Sequence, residues 1–143
     1  MIATAEDSGS AILALHRATH ATLHALTARL ADLDLPAADI NVLANLADGV
    51  PRTVGALATA TATRPSTLTS LLDRLTRRGF IARESDPADR RSFVIRLTPA
   101  GRAAAVRAAE AVAELERQAL ATVTPRQRAG FHAVIEALTE VPR

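Results

Sequence analysis

The stretch DPADRRSFVIRLT, residues 86–98, constrains the fold more than any other part of this chain. It interrupts a sequence otherwise made of alanine-rich segments with helical periodicity. In SFVIRL, Phe93, Ile95 and Leu97 alternate with Ser92, Val94 and Arg96, the period of a strand with one buried face. The preceding FIARE, residues 80–84, can serve as its partner, and Ser85, Asp86, Pro87, Ala88 and Asp89 supply the turn between them. The expected class is mainly α with one small β-hairpin, whose far side carries Arg90 and Arg91.

The helices announce themselves by caps and period. Residues 9–34 read as one long helix in which Ile12, Thr19, Leu23, Leu26, Leu30 and Leu33 form a narrow stripe suited to another helix. After Pro36, Ile40, Leu43 and Leu46 mark a second helix that stops at Asp48-Gly49, where glycine can take the left-handed conformation. Thr53 caps a third helix carrying Val54 and Leu57, and Pro65 opens a fourth that ends at Arg77-Arg78-Gly79. Thr98-Pro99 and Thr124-Pro125 each join a cap to a helix-opening proline, and Gln127 completes a capping box, so residues 99–122 and 125–141 are two further helices. The alanine-rich flank from Ala103 to Ala113 permits close helix approach, while Phe131, Val134, Ile135, Leu138 and Val141 give the last helix an apolar face.

Four helices, a hairpin and two more helices are the parts of a winged helix-turn-helix. Residues 1–143 are expected to form one domain, with 36–102 as the DNA-binding lobe and the helices 9–34 and 103–141 as dimerisation elements. The terminal stripes exceed what the small middle can cover, which predicts a homodimer. With no cysteine there is no disulfide or thiolate chemistry, and no apolar run approaches the ~20 residues of a membrane span. The expectation is a cytoplasmic protein without a membrane partner.

Net charge is only +2, but it is unevenly placed. Residues 64–102 hold nine arginines against four acids, a local +5, whereas the rest holds eight arginines against eleven acids, −3. One basic region on a mildly acidic body is a footprint for a polyanion or, more blandly, a solvated arginine-rich face. Three Phe, no Trp and no Tyr leave few stacking platforms for single strands or RNA, which leaves duplex DNA.

The segment LTSLLDRLTRRGFIARESDPADRRSFVIRLTPAGR, residues 68–102, resembles the recognition helix, wing and following helix of the MarR family of bacterial transcriptional regulators, and the resemblance runs along nearly the whole chain. It implies a DNA-binding homodimer, usually a repressor, often released from its operator by a small aromatic or phenolic ligand. From the residues themselves, Leu68, Leu71, Leu72 and Leu75 form the buried face of the fourth helix. Ser66, Ser70, Asp73 and Arg77 point away from it, flanked by Thr67, Thr69 and Arg74, with Arg64 just ahead of the helix. Small hydroxyls near a helix start, followed by arginines, suit a helix lying deep in a major groove. The place of Ser70 often carries a basic residue in the family, which implies either fewer base contacts or contacts shifted to Thr67, Thr69 and Arg74. By resemblance to the family's Asp-x-Arg wing, Asp89 orients Arg91 for minor-groove insertion with Arg90 on phosphate; the two arginines can also exchange roles.

His16, His20 and His24 recur every four residues on the first helix. No carboxylate or cysteine stands at ligand spacing, so no metal or other cofactor is expected. The family's effector cleft between dimerisation helices and DNA-binding lobe, lined by the first helix, makes His16, Arg17 and His20 candidate contacts for an aromatic or phenolic effector. An enzyme is disfavoured, because no nucleophile elbow, H-E-x-x-H, P-loop or Rossmann glycine pattern occurs. The alternative reading is an effector-independent DNA-binding or architectural protein.

Overall fold

A computed structural model describes residues 9–141; the opening MIATAEDS lies outside them. Six α-helices and a three-stranded sheet follow in the order α1 Ala11–Arg29, a 3₁₀ turn Ala31–Leu33, α2 Ala37–Leu46, β1 Arg52–Thr53, α3 Val54–Thr61, α4 Pro65–Arg77, β2 Ile81–Ser85, β3 Phe93–Leu97, α5 Pro99–Ala119 and α6 Pro125–Thr139. Side-chain oxygens close the starts of four helices: Ser10, Thr53, Thr98 and Thr124 each accept from a first-turn amide. Thr124 and Gln127 form the reciprocal capping box. Gly49 and Gly79, at φ +77 and +76, end α2 and α4 in the left-handed region.

The first helix is shorter than the 9–34 stripe implies. Leu30 leaves helical geometry at φ −113, and Asp34 turns left-handed at φ 49. The bend delivers Leu30 and Leu35 into the core at 3% and 6% exposure, and Pro36 bars Leu35 from helical geometry. The fifth and sixth helices likewise stop at Ala119 and Thr139, before 122 and 141.

The core lies in the middle of the chain. Ile40, Val42, Leu43 and Leu46 of α2 meet Leu57 of α3, the four α4 leucines, Ile81, Ile95 and Leu97 of the sheet, and Ala104, Ala105 and Ala108 of α5. Each fully buried leucine contributes about 2 kcal/mol of hydrophobic stabilisation. The alanine flank of α5 packs on α2, so this end of the helix belongs to the lobe core. Gly101 marks the tightest approach: a Cβ built there would lie 1.7 Å from the Phe80 carbonyl oxygen. Thr98 draws the two segments together, its amide donating to Phe80 O at 3.1 Å and its hydroxyl to Gly79 O at 2.6 Å.

The sheet has the order β1-β3-β2, all antiparallel. The two-residue β1 is too short to show in sequence periodicity, and it changes the burial of β3. Thr53 lies opposite Val94, which is buried, whereas Phe93 pairs with Ser85 beyond the end of β1 and stays 55% exposed. Phe93 lies on the face of Ile95 and Leu97, yet at the wing end of the strand it is not buried with them, against the expectation from alternation, and Val94 on the opposite face is.

Beside β1, Asp48 receives the Arg52 guanidinium through both oxygens, at 2.8 and 2.6 Å, and the Val50 amide at 3.0 Å. The Arg52 hydrogen bonds hold its carboxyl well below the ordinary value of 3.8. A depressed folded-state pKa contributes stability that is present above 3.8 and lost as pH falls toward the folded value. Thermal midpoints measured across this acid range are expected to fall less steeply for Asp48→Asn than for the wild type. Parallel curves would exclude the Asp48 contribution.

Candidate nucleic-acid interface

Helix α4 buries Leu68, Leu71, Leu72 and Leu75 at 0–2% exposure and turns its other side outward. Ser66, Thr67, Thr69, Ser70 and Arg77 stand exposed there, as does Arg64 at the N-cap. The helix start has no side-chain cap, so its first amides remain open toward the same side. Thr69 donates its hydroxyl to Pro65 O at 2.9 Å and Ser70 to Ser66 O at 3.5 Å. Their lone pairs stay free to accept.

Arg74 is placed differently from the other candidates. Its Nε and a terminal nitrogen close bidentately on Asp39 of α2, at 2.8 and 2.5 Å. Asp39 is fully buried, and its carboxylate pushes the Arg74 guanidinium pKa up. Releasing Arg74 to a base would strand a buried charge, so it serves the packing of α4 on α2. Asp39 is not among the residues that motif and charge single out, although its spacing to Leu43 and Leu46, i to i+4 and i+7, sets it on the apolar face of α2. Asp73 of α4 accepts from Arg83 of β2 at 2.7 Å and joins the recognition helix to the wing.

The wing tip is wired internally. Asp86 Oδ1 accepts the Ala88 amide at 2.9 Å and Asp89 Oδ1 the Arg91 amide at 3.0 Å, two side chain-to-backbone turns in succession. Ser92 closes the loop, its amide donating to Asp89 O at 3.0 Å. Asp89 thus holds Arg91 through its backbone amide, not its guanidinium. Both carboxylates serve the turn, and Arg90 and Arg91 project exposed from it.

Ion pairing sorts the basic region into two sets. Arg74, Arg83 and Arg96 are each within hydrogen-bonding distance of a carboxylate, as is Arg52 ahead of that region. Arg78 is held by two backbone carbonyls instead, and among the described residues Arg64, Arg77, Arg90, Arg91 and Arg102 have no acidic partner within 4.0 Å. The first four, on the α4 start, the α4 end and the wing, are the candidate cations for a polyanion, while Arg102 lies on α5 beside Gly49.

A family model described as MarR family matches residues 33–92. A MarR-family transcriptional regulator from Silicibacter pomeroyi superposes with a TM-score of 0.74 at 28% identity, over 91% of this chain and 88% of that one. The chain has the winged-helix fold of MarR-family regulators, and its residues 33–92 match that family. The same fold occurs in the transcriptional repressor CouR, solved on a 23-mer DNA duplex: TM-score 0.70, 29% identity, 89% of this chain and 90% of that one. YcgE of Bacillus subtilis strain 168, an uncharacterized HTH-type transcriptional regulator, is 44% identical over 62 residues. That match spans 43% of this chain and 37% of YcgE.

Two clefts adjoin these elements. One of about 900 Å³ lies between α3, the α4 start and the end of α6, with Thr59, Thr63 and Arg64 facing Leu138 and Val141. The other, about 410 Å³, lies between α1, α5 and α6 and takes Thr22 and Leu26 from α1. His16, Arg17 and His20 line neither; they stand exposed further up α1 with His24. No helix among the described residues is long and apolar enough to cross a membrane.

Proposed function

We propose that this MarR-family protein is a homodimeric repressor that binds a pseudo-palindromic duplex, its two α4 helices in successive major grooves about one helical turn (~34 Å) apart. Ser66, Thr67, Thr69, Ser70 and Arg77 meet bases and phosphates, with Arg64 and the open α4 amides on the backbone. Asp89 holds the wing loop while Arg90 and Arg91 enter or flank the minor groove. The observation that carries this reading is that four of the five arginines of residues 64–102 left without a carboxylate or carbonyl partner stand on α4 and the wing, while Arg74, Arg78, Arg83 and Arg96 are held within the chain. Dimerisation is supported by the terminal helices: α1 and α6 bury no residue within the chain, and Ile12, Leu13, Phe131 and Val134 are 43–57% exposed.

The 900 Å³ cleft suits a small aromatic or phenolic acid, its ring between Ala58 and Leu138 and its carboxylate on Arg64. Such a ligand regulates only by binding the DNA-competent and incompetent states unequally. Arg64 caps the recognition helix, so a ligand drawing on it competes for the same group that contacts phosphate.

The deciding measurement is gel retardation on the DNA upstream of the protein's own coding sequence, against random duplex competitor. A preference of roughly 10³-fold or more is expected of a regulator. Equal affinity for both, with a steep salt slope, would leave only sequence-indifferent polyanion binding and end the repressor reading.

A further inference from the structure

The residue that caps the C-terminal end of α4 is an arginine that, although exposed, turns its guanidinium back onto the chain's own backbone. Arg78 sends its two terminal nitrogens to the carbonyl oxygens of Asp34 and Leu33, at 2.8 and 2.7 Å. Its guanidinium carbon lies 5.4 Å from the centroid of the Phe80 ring. A planar fork held by two adjacent backbone acceptors and an aromatic face has little freedom left, and a lysine ammonium cannot reproduce it.

The acceptors matter because of where they sit. Leu33 and Asp34 form the turn that joins α1 to α2, and Asp34 closes it in the left-handed conformation at φ 49. On its other side the turn is fixed to α5, because Asp32 takes both terminal nitrogens of Arg107 at 2.8 Å. Leu30 and Leu35 anchor it in the core from either end. Arg78 therefore ties the end of the recognition helix to the point where the terminal helix α1 enters the lobe. Four residues earlier, Arg74 makes the companion tie to Asp39 of α2.

We propose that Arg78 is a positioning residue for two-site DNA recognition: its clasp on the Leu33 and Asp34 carbonyls sets how far apart, and at what pitch, a dimer joined through its terminal helices holds its two recognition helices. The clasp fixes the half-site spacing that the dimer accepts, and Arg78 itself makes no phosphate contact. This rests on the dimeric DNA-binding reading above. One inserted base pair separates the half-sites by a further ~3.4 Å and rotates them by about 35°, a displacement that a rigid lobe cannot follow.

The test uses the full-length protein and a duplex that the wild type selects from a random library. One base pair is then inserted or deleted between the half-sites, and affinity and salt slope are measured for wild type, Arg78→Met, Arg78→Lys and Arg77→Met. The wild type is expected to lose at least about tenfold on insertion, while both Arg78 variants bind the parent site nearly as well and lose less than about threefold, at an unchanged salt slope. Arg77→Met should weaken every spacing equally and lower the slope by about one. Melting curves establish that the variants are folded, and Arg78→Lys carries the test if Arg78→Met is not. The same spacing penalty in Arg78→Lys as in wild type overturns the proposal, as does a slope lowered by about one in Arg78→Met with that penalty intact. Selection of a duplex without dyad symmetry removes the dimeric reading itself, and the proposal falls with it.

Discussion

Gly101→Ala is expected to abolish stable folding of this protein. The added methyl group would stand 1.7 Å from the Phe80 carbonyl oxygen and 2.6 Å from its carbon, inside any van der Waals contact. Neither side can yield cheaply. The Phe80 carbonyl accepts the Thr98 amide, and Gly79 holds the Thr98 hydroxyl, so moving α5 away breaks both bonds and opens the packing of Ala104, Ala105 and Ala108 on α2. A loss of about 4 kcal/mol or more places the change among the severe class of point mutations, enough to consume most of a small domain's stability. Gly130→Ala in α6 is the internal control: nothing lies within 4 Å of its built Cβ, and alanine is favoured over glycine in a helix interior by about 1 kcal/mol. Circular dichroism and denaturant melts of the two variants should move in opposite directions. A Gly101→Ala protein that melts like the wild type would show that α5 can move off the α4–β2 turn at little cost.

The second large effect is expected in binding, with folding untouched. Arg90→Ala combined with Arg91→Ala removes two exposed cations that no carboxylate holds, while Asp86, Asp89 and Ser92 keep the loop through backbone bonds that the substitution leaves in place. Surface cations of this kind contribute little to stability, so the melting curve should be preserved. Affinity for the selected duplex should fall strongly, and the slope of log K against log salt should lessen by about two units, roughly one for each phosphate that the pair neutralises. Unchanged affinity and slope would exclude the wing from the interface. A loss of affinity for the cognate site alone, with the slope unchanged, would instead assign the pair to shape readout in the minor groove.

Those two expectations differ in how readily the sequence discloses them. The wing arginines are visible at once, because turn residues, strand alternation and charge coincide within a short segment. Gly101 lies in a TPAGR segment that reads as an ordinary helix start, and its necessity appears only when the chain folds back to bring Phe80 against it, 21 residues away. Still longer separations in sequence hide the roles of Arg74 and Arg78. On a helical wheel Arg74 flanks the outward face beside Thr67 and Thr69, yet its partner Asp39 lies 35 residues earlier and binds it to α2. The bend after Arg29 is hidden because Leu30 and Leu33 continue the helical period that the backbone itself abandons. Phe93 misleads in the opposite sense: alternation places it inside, but at the wing end of β3, beyond the pairing with β1, it stays exposed.

What the sequence alone determined is therefore local. Caps, helix-opening prolines, left-handed glycines and apolar period act within a few residues, and they set the number, order and inner faces of the helices and the existence of the wing. The tertiary structure decided which charges are spent and which are free. An arginine's disposition depends on whether a carboxylate or a pair of carbonyls meets it across the fold, and such meetings are set by packing between elements far apart in the chain, about which nearby residues carry no information.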